Sequence, residues 1–213
     1  ILERGVTIVG VIGVDGYAHG SAYLRRHEFA QDLGSRLRGR GVPDATIDSL
    51  LDQFGEQLRE WGHYFDPAHS AIGQIESAVS NRIAQVFGVR GFNMTVDAAC
   101  AGGLVAMEMG AHALMAGDAD VALVGGVDLG TGPAIYVGFS RVGGLSSRGV
   151  ATPFDQSADG LVIGEGGGMV VLKRLEDAVA NGDRIHAVIR GTGSSSDGAG
   201  TAIYTPSKEG RKE

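Results

Sequence analysis

Cys100 is the residue of this chain whose type and surroundings best suit covalent chemistry. It follows a run with alternating apolar residues, residues 92–96, and precedes an almost uncharged stretch of helical composition, residues 101–116. A thiol at a strand-to-helix junction lies near the unpaired N–H groups and the positive dipole end of the helix, which favour the nucleophilic thiolate. Cys100 is therefore a candidate nucleophile. The alternative is a packing role, which is the commoner fate of a lone cysteine.

The residues beside Cys100 leave its thiol accessible. Ala101, Gly102 and Gly103 follow it, so that backbone and a bound acyl group can approach closely. The negative charge of Asp97 would oppose a thiolate, but side chains three residues apart on a regular strand point to opposite faces. We therefore expect Asp97 to point away from the sulfur.

Other polar residues are weaker candidates for a functional site. Asp155, Asp159 and Glu165 could be read as acid–base carboxylates, but the glycines around them favour structural roles as acceptors of backbone N–H groups. His63 and His69 lie in a predicted loop without a third nitrogen or sulfur ligand, so no metal site is predicted. The glycine clusters complete neither a dinucleotide fingerprint nor a P-loop, so no nucleotide cofactor is expected.

Composition narrows the class of protein. The 213-residue chain has a net charge of −7, which argues against a nucleic-acid partner, and its single cysteine excludes an internal disulfide. No apolar run reaches the roughly 18 residues of a membrane span, and the first residues do not open a signal peptide. We expect a cytoplasmic protein without a membrane partner. Because the sequence lacks an initiating Met, we also expect it to be cut from a longer one.

Apolar periodicity divides the chain into alternating strands and helices, which indicates an α/β protein with a layered sheet. Residues 130–165 are rich in glycine, proline and serine, and are predicted to form a long functional loop. Strands are predicted over residues 6–12, 92–96, 121–124, 168–172 and 184–190, and helices over residues 21–38, 44–61, 72–87 and 101–116.

Several of these segments resemble the β-ketoacyl synthases. Residues 96–100, VDAAC, resemble the active-site strand of that family, and residues 119–127, ADVALVGGV, resemble the strand after its nucleophile helix. Residues 153–168, PFDQSADGLVIGEGGG, look like the family signature FDxxADG…GEG, and residues 170–178 continue it without a gap.

The resemblance covers more than half of the chain. Order and spacing agree over about residues 70–198, whereas residues 1–69 match weakly, so residues 1–213 are identified as a partial ketosynthase domain. Residues 194–198, SSSDG, and 203–206, IYTP, are similar to synthases of polyunsaturated fatty acids and related iterative assembly lines. The family implies a thiolase-like, layered α-β-α-β-α fold of two similar halves. This chain would hold most of the first half and the opening strand of the second.

The resemblance also implies a mechanism and its partners. The Cys100 thiolate would take an acyl chain from a phosphopantetheine thioester of an acyl carrier protein, with the backbone N–H of Cys100 as one oxyanion donor. A malonyl-type thioester would then lose CO₂ and attack the acyl-cysteine, which is a decarboxylative Claisen condensation. Phe139 matches a position that lines the acyl pocket. No cofactor or metal beyond these thioesters is implied.

Two catalytic histidines of the family have no counterpart in this sequence. Relatives carry them in the second half, in HGTG and NIGH-type motifs, and none of the six histidines here matches either motif. The expected partners are therefore the C-terminal half of the same domain, an acyl carrier protein, and a second copy paired through residues 92–99. Two alternatives stay open, namely a thiolase and a non-catalytic subunit resembling a chain-length factor.

Overall fold

The structure, a computed structural model, describes residues 3–11, 26–62, 75–128 and 133–198. The predictions for His63 and His69 lie outside these residues, as do those for residues 12, 21–25, 72–74 and 203–206. In chain order the elements are β1 Gly5–Val11, α1 Arg26–Gly39, α2 Asp44–Gly62, α3 Ser77–Phe87, β2 Asn93–Val96, α4 Gly102–Ala116, β3 Val121–Asp128, α5 Pro133–Arg141, β4 Gly166–Leu172 and α6 Leu175–Ala180.

The four strands form one sheet in the order β2-β1-β3-β4. β1 pairs in parallel with both β2 and β3, and β4 runs antiparallel to β3. Every residue of β1 is buried, as expected of a central parallel strand that is covered on both faces. These pairings confirm the predicted α/β sheet and its first four strands.

The main core lies between the sheet and α4. Side chains from β1 and β3 with the same orientation, among them Ile8 and Val124, face Ala106 and Leu114 of the helix. On β1 the side chains of opposite orientation are buried too, and α3 packs against β1 and β2. The sheet thus holds α4 firmly, and α4 is the helix that begins just after Cys100.

α1 and α2 pack against each other as a helical pair. The rings of Phe29 and Phe54 lie 5.4 Å apart at their centroids and are tilted by 42°, and Ile47 is fully buried. Ile47 and Phe54, which lie two turns apart on α2, supply its side of this contact. The Arg38 Nε atom, which lies 2.9 Å from Asp44 Oδ1, joins the end of α1 to the start of α2.

Two predicted segments differ from the structure. The long loop predicted for residues 130–165 contains the helix Pro133–Arg141, whose first residue is a proline, a residue well suited to a helix start because it needs no N–H partner there. The strand predicted for residues 184–190 does not form among the described residues, and Ile185 and Val188 are exposed there. The segment has an apolar pattern, but a strand requires a pairing neighbour, and none of the described strands pairs with it.

Among the residues that the structure describes, one stretch, Ala99–Ala116, is apolar enough by length and composition to cross a membrane, with a mean hydropathy of 1.3 over 18 residues. The expectation that no run reaches this length was therefore wrong. In the fold, this stretch contains α4, which packs along β1 and β3 and contributes Ala106 and Leu114 to the core. Its apolar composition is that of a core helix, and Leu104 and Met115 remain exposed on it.

A substitution in β1 is expected to stabilise the protein. Thr7 is fully buried, and its hydroxyl has no hydrogen-bond partner among the described residues. Valine has nearly the same shape, so Thr7→Val should raise the free energy of unfolding by about 1 kcal/mol in denaturant melts. Ser80→Ala is the control, since the Ser80 hydroxyl donates to the Ser77 carbonyl at 3.1 Å and its loss should give no gain. A Thr7→Val variant no more stable than the parent contradicts this account.

Candidate active site

Cys100 lies on a tight turn between β2 and α4. The strand ends at Val96 and the helix begins at Gly102. Ala99 has a φ of +46°, in the left-handed region that non-glycine residues rarely adopt, so the turn holds strained backbone next to the thiol. Cys100 itself is exposed. The predicted strand-to-helix junction is confirmed, and the side chain it presents is accessible.

Asp97 stabilises this turn. Its Oδ1 atom accepts the N–H of Ala99 at 2.9 Å, and the N–H of Ala101 donates to the Ala98 carbonyl at 3.0 Å. The prediction for Asp97 assumed a regular strand as far as Cys100, and that premise was wrong because the strand ends before Asp97. The carboxylate is oriented instead by its hydrogen bond to the backbone, as in an Asx turn.

The Cys100 turn forms one wall of a cleft of about 350 Å³. The cleft is bounded mostly by glycines, so an entering group meets backbone atoms and little side-chain bulk. Among the described residues that line the cleft, Asp128, at the end of β3, is the only one with a carboxylate. The lining residues are Gly10, Ala99, Cys100, Gly102, Gly103, Gly126, Val127, Asp128, Gly166, Gly167 and Gly168.

Phe139 does not line this cleft. It lies half-buried on α5, and its carbonyl accepts the N–H of Gly144 at 2.8 Å. A Cβ atom added to Gly144 would lie 3.2 Å from the Phe139 ring, so the ring covers that glycine closely. Its assignment to an acyl pocket stays a prediction.

Asp159 organises the loop between α5 and β4. Its carboxylate accepts the hydroxyls of Ser146 and Ser147 at 2.7 and 2.8 Å and the Ser147 N–H at 3.1 Å, and it pairs with Arg148 at 3.3 Å. The Ser146 hydrogen bond, followed by that of Ser147, holds the pKa of Asp159 far below its usual range. The structural role predicted for this carboxylate is confirmed.

Asp155 has a similar local role. Its Oδ1 atom accepts the hydroxyl and the N–H of Ser157, each at 2.7 Å, and these bonds lower the pKa of the Asp155 carboxyl. Phe154, one residue before Asp155, has a φ of +62° and a fully exposed ring. The carboxylates of Asp155 and Asp159 therefore maintain backbone conformation and do not assemble with Cys100.

The Asp159 network predicts an acid-sensitive loop. Because the pKa of Asp159 is lower in the folded state, its stabilisation is complete above the unfolded value of about 4 and is lost as the pH falls towards the folded value. Asp159→Asn should therefore lower the melting temperature at pH 7, and the gap to the parent should narrow towards pH 3. The exposed Asp118→Asn is the control. A gap that stays constant from pH 7 to pH 3 contradicts the assignment.

Arg174 is a structural residue that sequence reasoning missed. Its guanidinium donates to the carbonyls of Leu114 and Ala119 at 3.0 and 2.7 Å, and it pairs with Asp120 and Asp177, both at 2.6 Å. The hydrogen bond from Arg174 lowers the pKa of Asp120. Arg174 thereby ties the C-terminal end of α4 to the start of β3, and the only signal in the sequence was its place two residues after β4.

Comparison with known proteins places this chain and its fold in a family. The profile of the family "Beta-ketoacyl synthase, N-terminal domain" matches residues 49–178. A relative from Thraustochytrium sp., which is a subunit of a polyunsaturated fatty acid synthase, is 35% identical over 208 residues, or 95% of this chain. The chain belongs to the β-ketoacyl synthase family.

Further similarities agree with this placement. The PKS-NRPS hybrid synthetase ATPKS of Aspergillus niger is 41% identical over 83% of the chain. The solved ketosynthase from module 6 of the bacillaene synthase of Bacillus subtilis 168 matches 96% of the chain with a TM-score of 0.67 and 26% identity. The chain spans only 7% and 10% of the lengths of the two curated relatives and 28% of that solved chain. The predicted family and its thiolase-like fold are thereby confirmed.

Proposed function

We propose that this chain is the nucleophile-bearing part of a ketosynthase that extends acyl chains in fatty-acid or polyketide biosynthesis. The observation that carries the proposal is the position of Cys100, which is exposed on the turn before α4 at the wall of a glycine-lined cleft. The relatives are named as a polyunsaturated fatty acid synthase subunit and a PKS-NRPS hybrid synthetase, and these names support the assignment to fatty-acid or polyketide biosynthesis.

The first step of the proposed reaction is acyl transfer to Cys100. The thiolate attacks the carbonyl of an acyl thioester, a new C–S bond forms, and the carrier thiolate leaves and takes up a proton. The phosphopantetheine arm of an acyl carrier protein is the proposed donor, and no other cofactor is proposed. The glycines of the cleft suit this step because they leave an acyl chain unobstructed next to the sulfur.

The second step is condensation. A malonyl-type thioester loses CO₂, its carbanion attacks the acyl-cysteine carbonyl, and the Cys100 thiolate departs from the β-ketoacyl product. The two family histidines that stabilise the carbanion match no histidine of this sequence, so we assign this step jointly to the C-terminal half of the same domain. Apolar side chains on α4 and β4, such as Leu104 and Val171, are exposed. They support the proposal that the C-terminal half packs on this surface.

The cellular setting is part of the same proposal. A single exposed cysteine and a net charge of −7 suit a reducing, cytoplasmic environment. A homodimer through β2 is also proposed, because β2 lies at the end of the described sheet and carries no lysine or proline that would block pairing.

A condensation assay on the polypeptide that carries this chain separates the ketosynthase from its two rivals. The ketosynthase should convert an acyl thioester and a malonyl thioester into a β-ketoacyl product and release one CO₂ for each product. A thiolase would form product from acetyl thioester without CO₂, and a chain-length-factor-like subunit would form none. Loss of product in Cys100→Ala is expected only for the two enzymes.

A further inference from the structure

The first turn of α4 lies directly on the sheet backbone. A Cβ atom added to Gly10 of β1 would lie 2.1 Å from the carbonyl carbon of Gly102 and 2.5 Å from the nitrogen of Gly103. Real Cβ atoms do not approach other atoms within 3.0 Å, and the atoms met here are backbone, which cannot rotate aside. Gly10 therefore allows a contact between strand and helix that no other residue type allows.

A second, milder contact lies on β3. A Cβ atom at Gly126 would lie 3.2 Å from the Cα atom of Gly103, a distance that a shift of a few tenths of an ångström would relieve. Gly10 and Gly126 are register partners in the β1–β3 pair, and both line the cleft beside Cys100. Together they form a seat of two glycines, Gly10 and Gly126, under the start of α4.

We propose that Gly10 is a positioning residue for the nucleophile, an inference that rests on the proposed function of Cys100. Only Ala101 separates Cys100 from the seated residue Gly102, so a displacement of the helix start moves the thiol with it. Relieving the contact at Gly10 requires a shift of about 1 Å, and a misplacement of that size lowers catalytic rates by about 100-fold. Sequence reasoning did not point to this role, since Gly10 lies 90 residues before Cys100.

A matched control exists at the opposite end of β1. A Cβ atom at Gly91 would lie 2.2 Å from the carbonyl oxygen of Gly5, which is also a backbone clash of similar severity. Gly5 lies five residues from Gly10 along the strand, or about 16 Å. Gly91→Ala thus disturbs β1 to a similar degree without touching the seat of α4.

The test compares Gly10→Ala, Gly126→Ala and Gly91→Ala in the polypeptide that carries this chain. We measure the melting temperature, the rate of Cys100 acylation by an acyl thioester per folded molecule, and the rate of Cys100 alkylation by iodoacetamide. Both Gly10→Ala and Gly91→Ala should melt earlier. Acylation should fall about 100-fold in Gly10→Ala and several-fold in Gly126→Ala, and it should stay at the parental rate in Gly91→Ala.

Each outcome decides between a positioning and a merely structural role. Parental acylation in folded Gly10→Ala, or an equal loss in Gly91→Ala, overturns the inference. If Gly10→Ala does not fold, Gly126→Ala decides, and a parental rate there overturns the inference. If the parent protein itself is never acylated, the proposed function fails, but the alkylation rates still test whether the glycine seat positions the thiol. An alkylation rate altered in Gly10→Ala alone supports the positioning role. Parental alkylation rates in all three variants contradict the positioning role.

Discussion

Cys100→Ser is expected to abolish acyl transfer, with a loss of at least about 10³-fold in the rate of acyl-enzyme formation. A serine hydroxyl is far less ionised than a thiol at neutral pH. The N–H groups and dipole at the start of α4 act on a hydroxyl as they act on a thiol, so they do not remove this difference in ionisation. The substitution is nearly isosteric, and the side chain is exposed, so the melting temperature should not change.

Chemical modification of Cys100 tests its role as the nucleophile independently. Cys100 is the only cysteine of the chain and it is accessible, so iodoacetamide should modify the folded protein at this one site. Prior alkylation should then block acylation, and a bound acyl group should protect the thiol from the reagent. Retained acylation in Cys100→Ser, or in protein whose Cys100 has been fully alkylated, would remove the nucleophile assignment.

Thr95→Pro is expected to weaken the proposed dimer. Thr7 N–H donates to the Phe92 carbonyl at 3.1 Å, and in a parallel ladder the alternate residues Asn93 and Thr95 direct their backbone groups to the free edge of β2. Proline removes one edge N–H in each copy and leaves the pairing with β1 intact. Losing two bonds of about 1 kcal/mol each raises the dimer Kd by about 30-fold, which sedimentation velocity can measure.

Thr95→Val is the matched control for this experiment. It changes the same side chain but retains the backbone N–H, so its dimer Kd should stay near that of the parent. The residues around position 95 carry few charges, which leaves backbone pairing as the main contribution to be tested. A Thr95→Pro protein that remains as dimeric as the parent contradicts pairing through β2.

The sequence was a good guide where local rules decide the structure. Helix ends were predicted at residues 87 and 116, and the glycines that follow, Gly88 and Gly117, adopt left-handed conformations with φ of 66° and 77°. The buried strands β1 and β3 were evident from their continuous β-branched and apolar residues. The junction at Cys100 followed from the change in periodicity on either side of it.

Features that depend on distant neighbours were not predictable in this way. The contact between Gly10 and Gly102 joins residues far apart in sequence, and glycine composition alone does not tell a close approach from a turn. The orientation of Asp97 depends on the turn at Ala99, which a regular-strand assumption conceals. The strand predicted for residues 184–190 failed for the same reason, because an apolar pattern does not reveal whether a neighbouring strand is present to pair with it.

The most direct test of the central claim is to locate the acyl group on the protein. The polypeptide that carries this chain is incubated with an acyl thioester, its intact mass is measured, and the modified peptide is sequenced by mass spectrometry. We expect a single adduct with the mass of the acyl group on Cys100, discharged by hydroxylamine as a thioester is. An adduct on any other residue, or no adduct in a folded protein whose Cys100 reacts with iodoacetamide, would contradict the account.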